Sequence, residues 1–349
     1  MITKQIIFKA KNKLWSSIVS YTRAKKVYLF LYPSYWHYLF NMKDSKSNDT
    51  NYFGARPNPG AGIGHQIANW IAGYWFAKQF GLKFAHIPFA QSSWEQFLGF
   101  GDKEKTAEEL IKKQGYRKVL LPLFDEFNNT EVTLIKSIIA SYNSQRVVFW
   151  AEQDQFYRNQ FGVMNEIIDK FYKAKAREND KLIYSKDNFN IAIHVRRGDI
   201  VLGQESNNQN ILMRWQTNEY FETVLSEVIE KIKQIKPIAI YLFSQGDRKD
   251  FSVFEQFENI HFCLDMDAQN SFLHMVYADL LITSKSSFSY KPALLNNGIK
   301  VCPKDFWHGY PETSDWILAN EKGLLVDEGV DNFYQRSLII DSSKYFFEK

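Results

Sequence analysis

The stretch richest in chemistry is Asn190–Asp199, which reads Asn-Ile-Ala-Ile-His-Val-Arg-Arg-Gly-Asp. Two adjacent guanidinium groups ahead of a glycine suit an anion, because arginine's planar fork donates two parallel hydrogen bonds to a phosphate or carboxylate. Ile191, Ile193 and Val195 alternate with Ala192, His194 and Arg196, which predicts a buried strand that carries the arginines to its end. Open α/β sheets bind ligands beyond the carboxyl ends of their strands. Neighbouring strand residues face opposite ways, so Arg196 and Arg197 cannot share one job unless the strand has broken by Gly198. One arginine is expected to grip an anion and the other to hold the loop. Arg197–Asp199 also spells an adhesion tripeptide, but it abuts an apolar strand rather than crowning a polar loop, which argues against that use.

A second candidate lies at 59–70, Pro-Gly-Ala-Gly-Ile-Gly-His-Gln-Ile-Ala-Asn-Trp. Gly60, Gly62 and Gly64 let the backbone come close to a ligand, and the helix that follows presents its N-terminus to an anion. Ile67, Ile71, Tyr74, Trp75 and Lys78 recur at helical spacing, with Gly81 as the stop. No strand is evident ahead of the loop, so a dinucleotide fingerprint is not expected. Glu152, Asp154 and Tyr157 follow a predicted strand and are candidates for a cleft. Asp265-Met-Asp267 imitates a metal-binding Asp-x-Asp pair, although a strand-end loop explains it as well.

These groups must be positioned by alternating strands and helices. In the first half, strands are predicted at Phe84–Phe89, Val119–Phe124 and Val147–Trp150, with helices near Val132–Tyr142 and over Val163–Arg177. Ser92 and Glu95 have the spacing of a capping box for a short helix through Phe97. After 210 the pattern is clearest: Asn218–Ile235, Ile238–Ser244, Asp250–Phe257, Ile260–Leu264, Ser271–Tyr277, Asp279–Thr283, Ser289–Leu295 and Ile299–Pro303. Such alternation predicts parallel α/β sheets. At 349 residues the chain is long enough for two domains. A division into 1–50 (a basic, aromatic segment and linker), 51–182 (an N-terminal α/β domain) and 183–349 (a Rossmann-like domain) is expected. The composition, 45% hydrophobic and 23% charged, is that of a globular protein, and a net charge of +4 is too weak to imply nucleic acid. Cys263 and Cys302 are the only cysteines, which excludes a disulfide framework and points to a reduced, cytoplasmic setting.

Eight basic residues precede the first acid, Asp44. Val27–Phe40 is apolar and aromatic but shorter than the roughly 20 residues that span a bilayer. Either this segment makes a peripheral membrane contact through its basic and aromatic residues, or it is a first helix docked on the body.

His194-Val-Arg-Arg-Gly-Asp199 resembles the His-x-Arg-Arg-x-Asp motif of the GDP-fucose-dependent α1,2- and α1,6-fucosyltransferases. Leu242-Phe-Ser-Gln-Gly-Asp247 is similar to their Phe-Ser-Asp-Asp strand end. Ala278-Asp-Leu-Leu-Ile-Thr-Ser-Lys-Ser-Ser-Phe-Ser289 is similar to their last motif, and Gly62-Ile-Gly-His-Gln66 to their Gly-x-Gly-x-x-Gln loop. The set spans roughly residues 58–300 in the family's order. The resemblance implies a GT-B-like fold, two Rossmann-like domains facing a cleft with 51–182 on the acceptor side and 183–349 holding the nucleotide sugar, and an inverting, metal-independent transfer with no cofactor beyond the nucleotide-sugar donor. It implies that Arg196 binds the GDP phosphates and Arg197 supports its loop. His194, Gly62, Gly64, Ser287 and Phe288 would line the nucleotide site, with His65, Asp199 and Ser286 beside them. Glu205 stands close to where core-fucosylating relatives place a glutamate, and is the expected general base. Where the family carries a guanine-binding aspartate this chain has Ser271, so Asp265, Asp267 or His274 must substitute; Asp267 is the nearest acid. Gly246 replaces the second acid of the Phe-Ser-Asp-Asp motif. The expected activity is transfer of fucose from GDP-fucose to a hydroxyl of a glycan or glycolipid. The alternatives are another nucleotide-sugar donor, or a non-catalytic nucleotide- or glycan-binding protein.

Overall fold

The computed structural model describes residues 14–15, 17–41, 50–151, 157–198, 213–232, 236–264 and 266–326. Asp199, Glu205, Glu152, Asp154 and Asp265 lie outside them. The protein is α/β with two parallel sheets, one in each of two compact units. Against the contiguous spans 51–182 and 183–349, these units are discontinuous. The first takes 1–56, 69–87 and 103–157; the second takes 57–68, 88–102 and 158–349.

In the first unit, β1 (Tyr52–Ala55), β2 (Lys83–Phe84), β3 (Arg117–Leu120) and β4 (Val147–Ala151) form a sheet of order β2-β1-β4-β3. The predicted strand Phe84–Phe89 shrinks to two residues. An unexpected strand, β1, leads into the glycine loop. All four of its residues are buried, so no alternation advertises it. Asn51, just ahead, accepts the backbone N–H of Val147 and pins β1 to β4. Tyr157 is no cleft residue: it is buried, with its ring stacked on Trp75.

The N-terminal segment docks on this unit. A 3₁₀ turn (Lys26–Leu31) leads to α1 (Pro33–Phe40), whose proline occupies the first turn, where no backbone donor is missed. Tyr28 and Tyr32 are buried against Leu120 and Leu123. Ser34 Oγ donates to the Leu120 carbonyl at 2.7 Å, and Tyr28 accepts from Leu123 N at 2.7 Å. The outer face of the segment stays uncovered: Phe30, Trp36 and Phe40 are exposed, and the rings of Trp36 and Phe40 stack 6.3 Å apart. Among the described residues no helix is long and apolar enough to cross a membrane.

Of the helices that follow, α2 (Ile63–Gln79) runs from the glycine loop and ends ahead of Gly81, as predicted; α3 is Ser92–Leu98. Its expected capping box does not form, because Glu95 accepts from the N–H of Phe89 instead. Next come α4 (Ala107–Lys112), α5 (Asn129–Ala140) and α6 (Met164–Lys173). The helix expected over Val163–Arg177 breaks at Ala174, whose backbone is extended, and resumes as a 3₁₀ turn over Lys175–Asn179.

The second unit holds β5 (Phe189–His194), α7 (Asn218–Ile232), β6 (Ile238–Phe243), β7 (Ile260–Cys263), α8 (Ala268–Tyr277), β8 (Leu280–Ile282), α9 (Ser287–Leu295), β9 (Ile299–Pro303) and β10 (Trp316–Ala319). Arg248–Gln256 winds as a 3₁₀ run where a helix was expected, and β10 was not anticipated. The all-parallel sheet has the order β10-β9-β8-β5-β6-β7. β5 is buried at every residue, as a central parallel strand covered on both faces should be. Its start is fixed to β8: Asp279 accepts from both the backbone N–H and the side-chain amide of Asn190. Cys263 and Cys302 are free and buried on strands of this sheet.

Candidate functional site

The chain lays down β5, β6 and β7 in one direction, then returns to the other side of β5 to lay down β8, β9 and β10. Strand order therefore reverses between β5 and β8. The carboxyl ends of two such strands leave a crevice that their diverging connections do not fill. Both long motifs end there, His194–Gly198 after β5 and Thr283–Ser289 after β8.

β5 stops at His194, so the two arginines emerge from a chain that has already left the sheet. Gly198 turns it with φ of 61°, and a Cβ there would overlap the Gln245 side chain. Ser244, at the end of β6, donates to the Val195 carbonyl at 2.6 Å and holds the start of the loop. The arginines then part company. Arg197 is 8% exposed and turns inward. It donates to the carbonyls of Arg196 (2.8 Å) and Gln216 (3.1 Å) and to the Asn218 side chain, while its guanidinium lies 4.3 Å from the Trp215 ring centre. Burial lowers its pKa to about 10, with Glu219 and Asp250 opposing the shift.

Arg196 is half-buried and reaches across to the β8 end, where its Nη1 donates to Ser286 Oγ at 3.1 Å. Ser286 is also the N-cap of α9 and accepts the N–H of Phe288. A guanidinium thus sits at the positive end of a helix, and both favour negative charge at this place. His194 is buried between the same strand ends, with Nδ1 2.8 Å from Ser284 Oγ and its ring against Phe288. Burial, reinforced by the neighbouring Arg196 and Arg197, lowers its pKa to about 3. The imidazole is therefore neutral and adds no third positive charge.

The glycine loop belongs to the same unit. A Cβ on Gly64 would lie 2.6 Å from the Ser287 carbonyl carbon and 2.9 Å from Phe288 N, so only glycine permits this approach. Gly62 has open space where a Cβ would stand, and its carbonyl accepts the N–H groups of His65 and Gln66 to start α2. Gln66 bonds Ala61 and Ala90, which makes it a brace of the loop. The start of α2 and the start of α9 therefore meet, with Arg196 and His194 against the latter.

The guanine candidates fare differently. Asp267 is the N-cap of α8: Oδ1 accepts from the N–H groups of Gln269 and Asn270, and Oδ2 from the Asn270 side chain at 2.6 Å. Those bonds, led by the one from the Asn270 backbone, lower its pKa. The acid expected to bind guanine is thus also a helix cap, with both carboxylate oxygens engaged. His274 accepts the Ile183 N–H at Nε2, so Nδ1 must carry the proton that it donates to the Asn270 carbonyl. It is a core histidine. Ser271 Oγ donates to the Met266 carbonyl. Asp247, from the second motif, lies at the start of the 3₁₀ run, its N–H bound by Asp250. Sequence reasoning missed Trp215 and Gln216 and gave no role to Lys285. Gln216 accepts the Lys285 N–H at 2.7 Å and so fastens the arginine loop to the β8 end.

No protein-family model matches the chain, and no curated protein matches it by sequence. Among solved structures, POFUT1 in complex with GDP aligns over 74% of this chain and 99% of its own, at 14% identity and a TM-score of 0.41. The E. coli heptosyltransferase WaaC with ADP aligns over 82% and 99%, at 10% identity and 0.40. NodZ alpha-1,6-fucosyltransferase co-crystallized with GDP aligns over 80% and 98%, at 12% identity and 0.38. At such scores the side chains, rather than the likeness, have to carry any function.

Proposed function

We propose that the second unit binds the diphosphate of a nucleotide sugar, and that the protein is an inverting glycosyltransferase moving fucose from GDP-fucose to a glycan hydroxyl. The carrying observation is Arg196 at the N-cap of α9, at the reversal point of the sheet. Breaking a sugar–phosphate bond develops negative charge on the departing diphosphate and positive charge on the sugar. An arginine and helix-start amides fixed beforehand stabilise that leaving charge in the transition state without reorganising. The acceptor oxygen attacks the anomeric carbon from the face opposite the phosphate, and a carboxylate takes its proton. Glu205, the residue expected to be that base, lies outside the described residues. The motif resemblance supports GDP-fucose as the donor.

Asp267 and His274, both committed to local structure, favour a second reading in which the same site takes a different nucleoside diphosphate sugar. Thermal shifts with GDP, UDP and ADP, followed by a donor-hydrolysis screen, separate the two. A larger shift with GDP supports the fucosyl donor; equal shifts with all three leave only an unspecified nucleotide sugar. At a hundredfold excess over the dissociation constant the linkage is about 2.7 kcal/mol. Nucleotide binding without turnover on any donor would instead mark a non-catalytic binding protein. The exposed Phe30, Trp36 and Phe40 beside a basic N-terminus support a membrane-borne acceptor, such as a lipid-linked glycan.

A further inference from the structure

A pocket of about 260 Å³ opens in the second unit beside the carboxyl ends of β9 and β10, marked by Pro303 and Ala319 in its wall. Lys285 also lines it and sits between Ser284 and Ser286 of the arginine site. Strands lie about 5 Å apart, so the pocket is on the order of 5–10 Å along the sheet edge from the proposed diphosphate. No motif of the sequence falls in it except Lys285.

We infer that this pocket holds a sugar ring of the acceptor. The inference rests on the glycosyltransferase reading. Its volume lies just under the roughly 300–1,000 Å³ typical of drug-sized ligands, which suits one pyranose. Its lining combines the indole of Trp215 with Lys285, Lys304, Asp305, Asn320 and Glu321. A phosphate would meet Asp305 and Glu321 as well as the two lysines, and an apolar ligand would use none of these four charged groups. Hydroxyls both donate and accept, so a sugar can serve carboxylates, ammonium groups and the amide together while its C–H face covers an aromatic ring. One wall of the pocket is fixed in advance, because Trp215 lies under the Arg197 guanidinium and the Lys285 N–H is held by Gln216. Such preorganisation lowers the entropic cost of binding.

The test is saturation-transfer NMR on the full chain with methyl glycosides of glucose, galactose, mannose and N-acetylglucosamine, alongside GDP thermal shifts on the same samples. At least one glycoside should receive saturation without nucleotide. Glu321→Gln and Asp305→Asn should each weaken it about tenfold, the loss expected for a hydrogen bond to a charged group, while the GDP shift stays as in wild type. If no glycoside binds while GDP still stabilises, the acceptor pocket is wrong and the nucleotide site stands. If a glycoside binds and GDP does not, the pocket stands and the nucleotide reading falls. If the variants weaken GDP-fucose but not GDP, and leave the glycosides untouched, the pocket holds the donor sugar and the acceptor assignment is overturned.

Discussion

Arg196 and Arg197 are joined by one peptide bond, yet they answer to different free energies. Arg197 spends its donors on two carbonyls and an amide inside the fold, so Arg197→Ala leaves buried acceptors unpaired and should cost about 3 kcal/mol of stability. Urea unfolding measures that loss. Arg196→Ala should leave the unfolding midpoint close to wild type and remove most of the GDP-induced thermal shift. An unchanged shift would end the phosphate role. His194 adds a pH signature. Its folded pKa of about 3 lies below the ordinary histidine value of 6.5, so the unfolded chain takes up a proton first as pH falls. Its contribution is whole above about pH 6.5 and is lost progressively towards pH 3. The difference in unfolding free energy between wild type and His194→Asn should therefore shrink across that window. A constant difference would mean that the imidazole titrates normally.

At the scale of elements, helix starts decide what the sequence can reveal. Asp267 looks like a ligand in the sequence because a carboxylate two residues past a strand-end acid imitates a site. In the fold it is an N-cap, so Asp267→Ala should cost about 1 kcal/mol, read by thermal melting. Loss of GDP preference in Asp267→Asn, which preserves a good cap, would assign it the guanine role as well. The core strands of the second unit were legible because they are apolar runs bounded by turn residues. β1 was hidden by its brevity, its internal glycine and its burial on both faces. The arginine loop was legible because its residues are consecutive. The saccharide pocket was not, because Trp215, Lys285, Asp305 and Glu321 come from four separate segments that only the fold assembles. Gly64 spans both cases: the glycine was visible, but not its contact with Ser287.

For the whole molecule, the N-terminal segment faces two ways. Its inner tyrosines belong to the core of the first unit, so a chain starting near Asn51 should aggregate, whereas a freely hanging tail would leave it soluble. The outer face can be tested without that damage. Trp36→Ser with Phe40→Ser should keep the melting temperature while reducing co-sedimentation with anionic vesicles at low salt. Undiminished co-sedimentation would assign any lipid affinity elsewhere.

The interleaving of the two units limits how the chain can be divided. A gene cut after codon 182 would yield a C-terminal fragment lacking residues 57–68, 88–102 and 158–182 of the second unit, and with them the glycine that lies against Ser287. Such a fragment would carry both arginines and still present a bare α9 start. Nucleotide affinity should return only when the N-terminal fragment that carries the glycine loop is supplied in trans, which makes the two fragments a complementation pair.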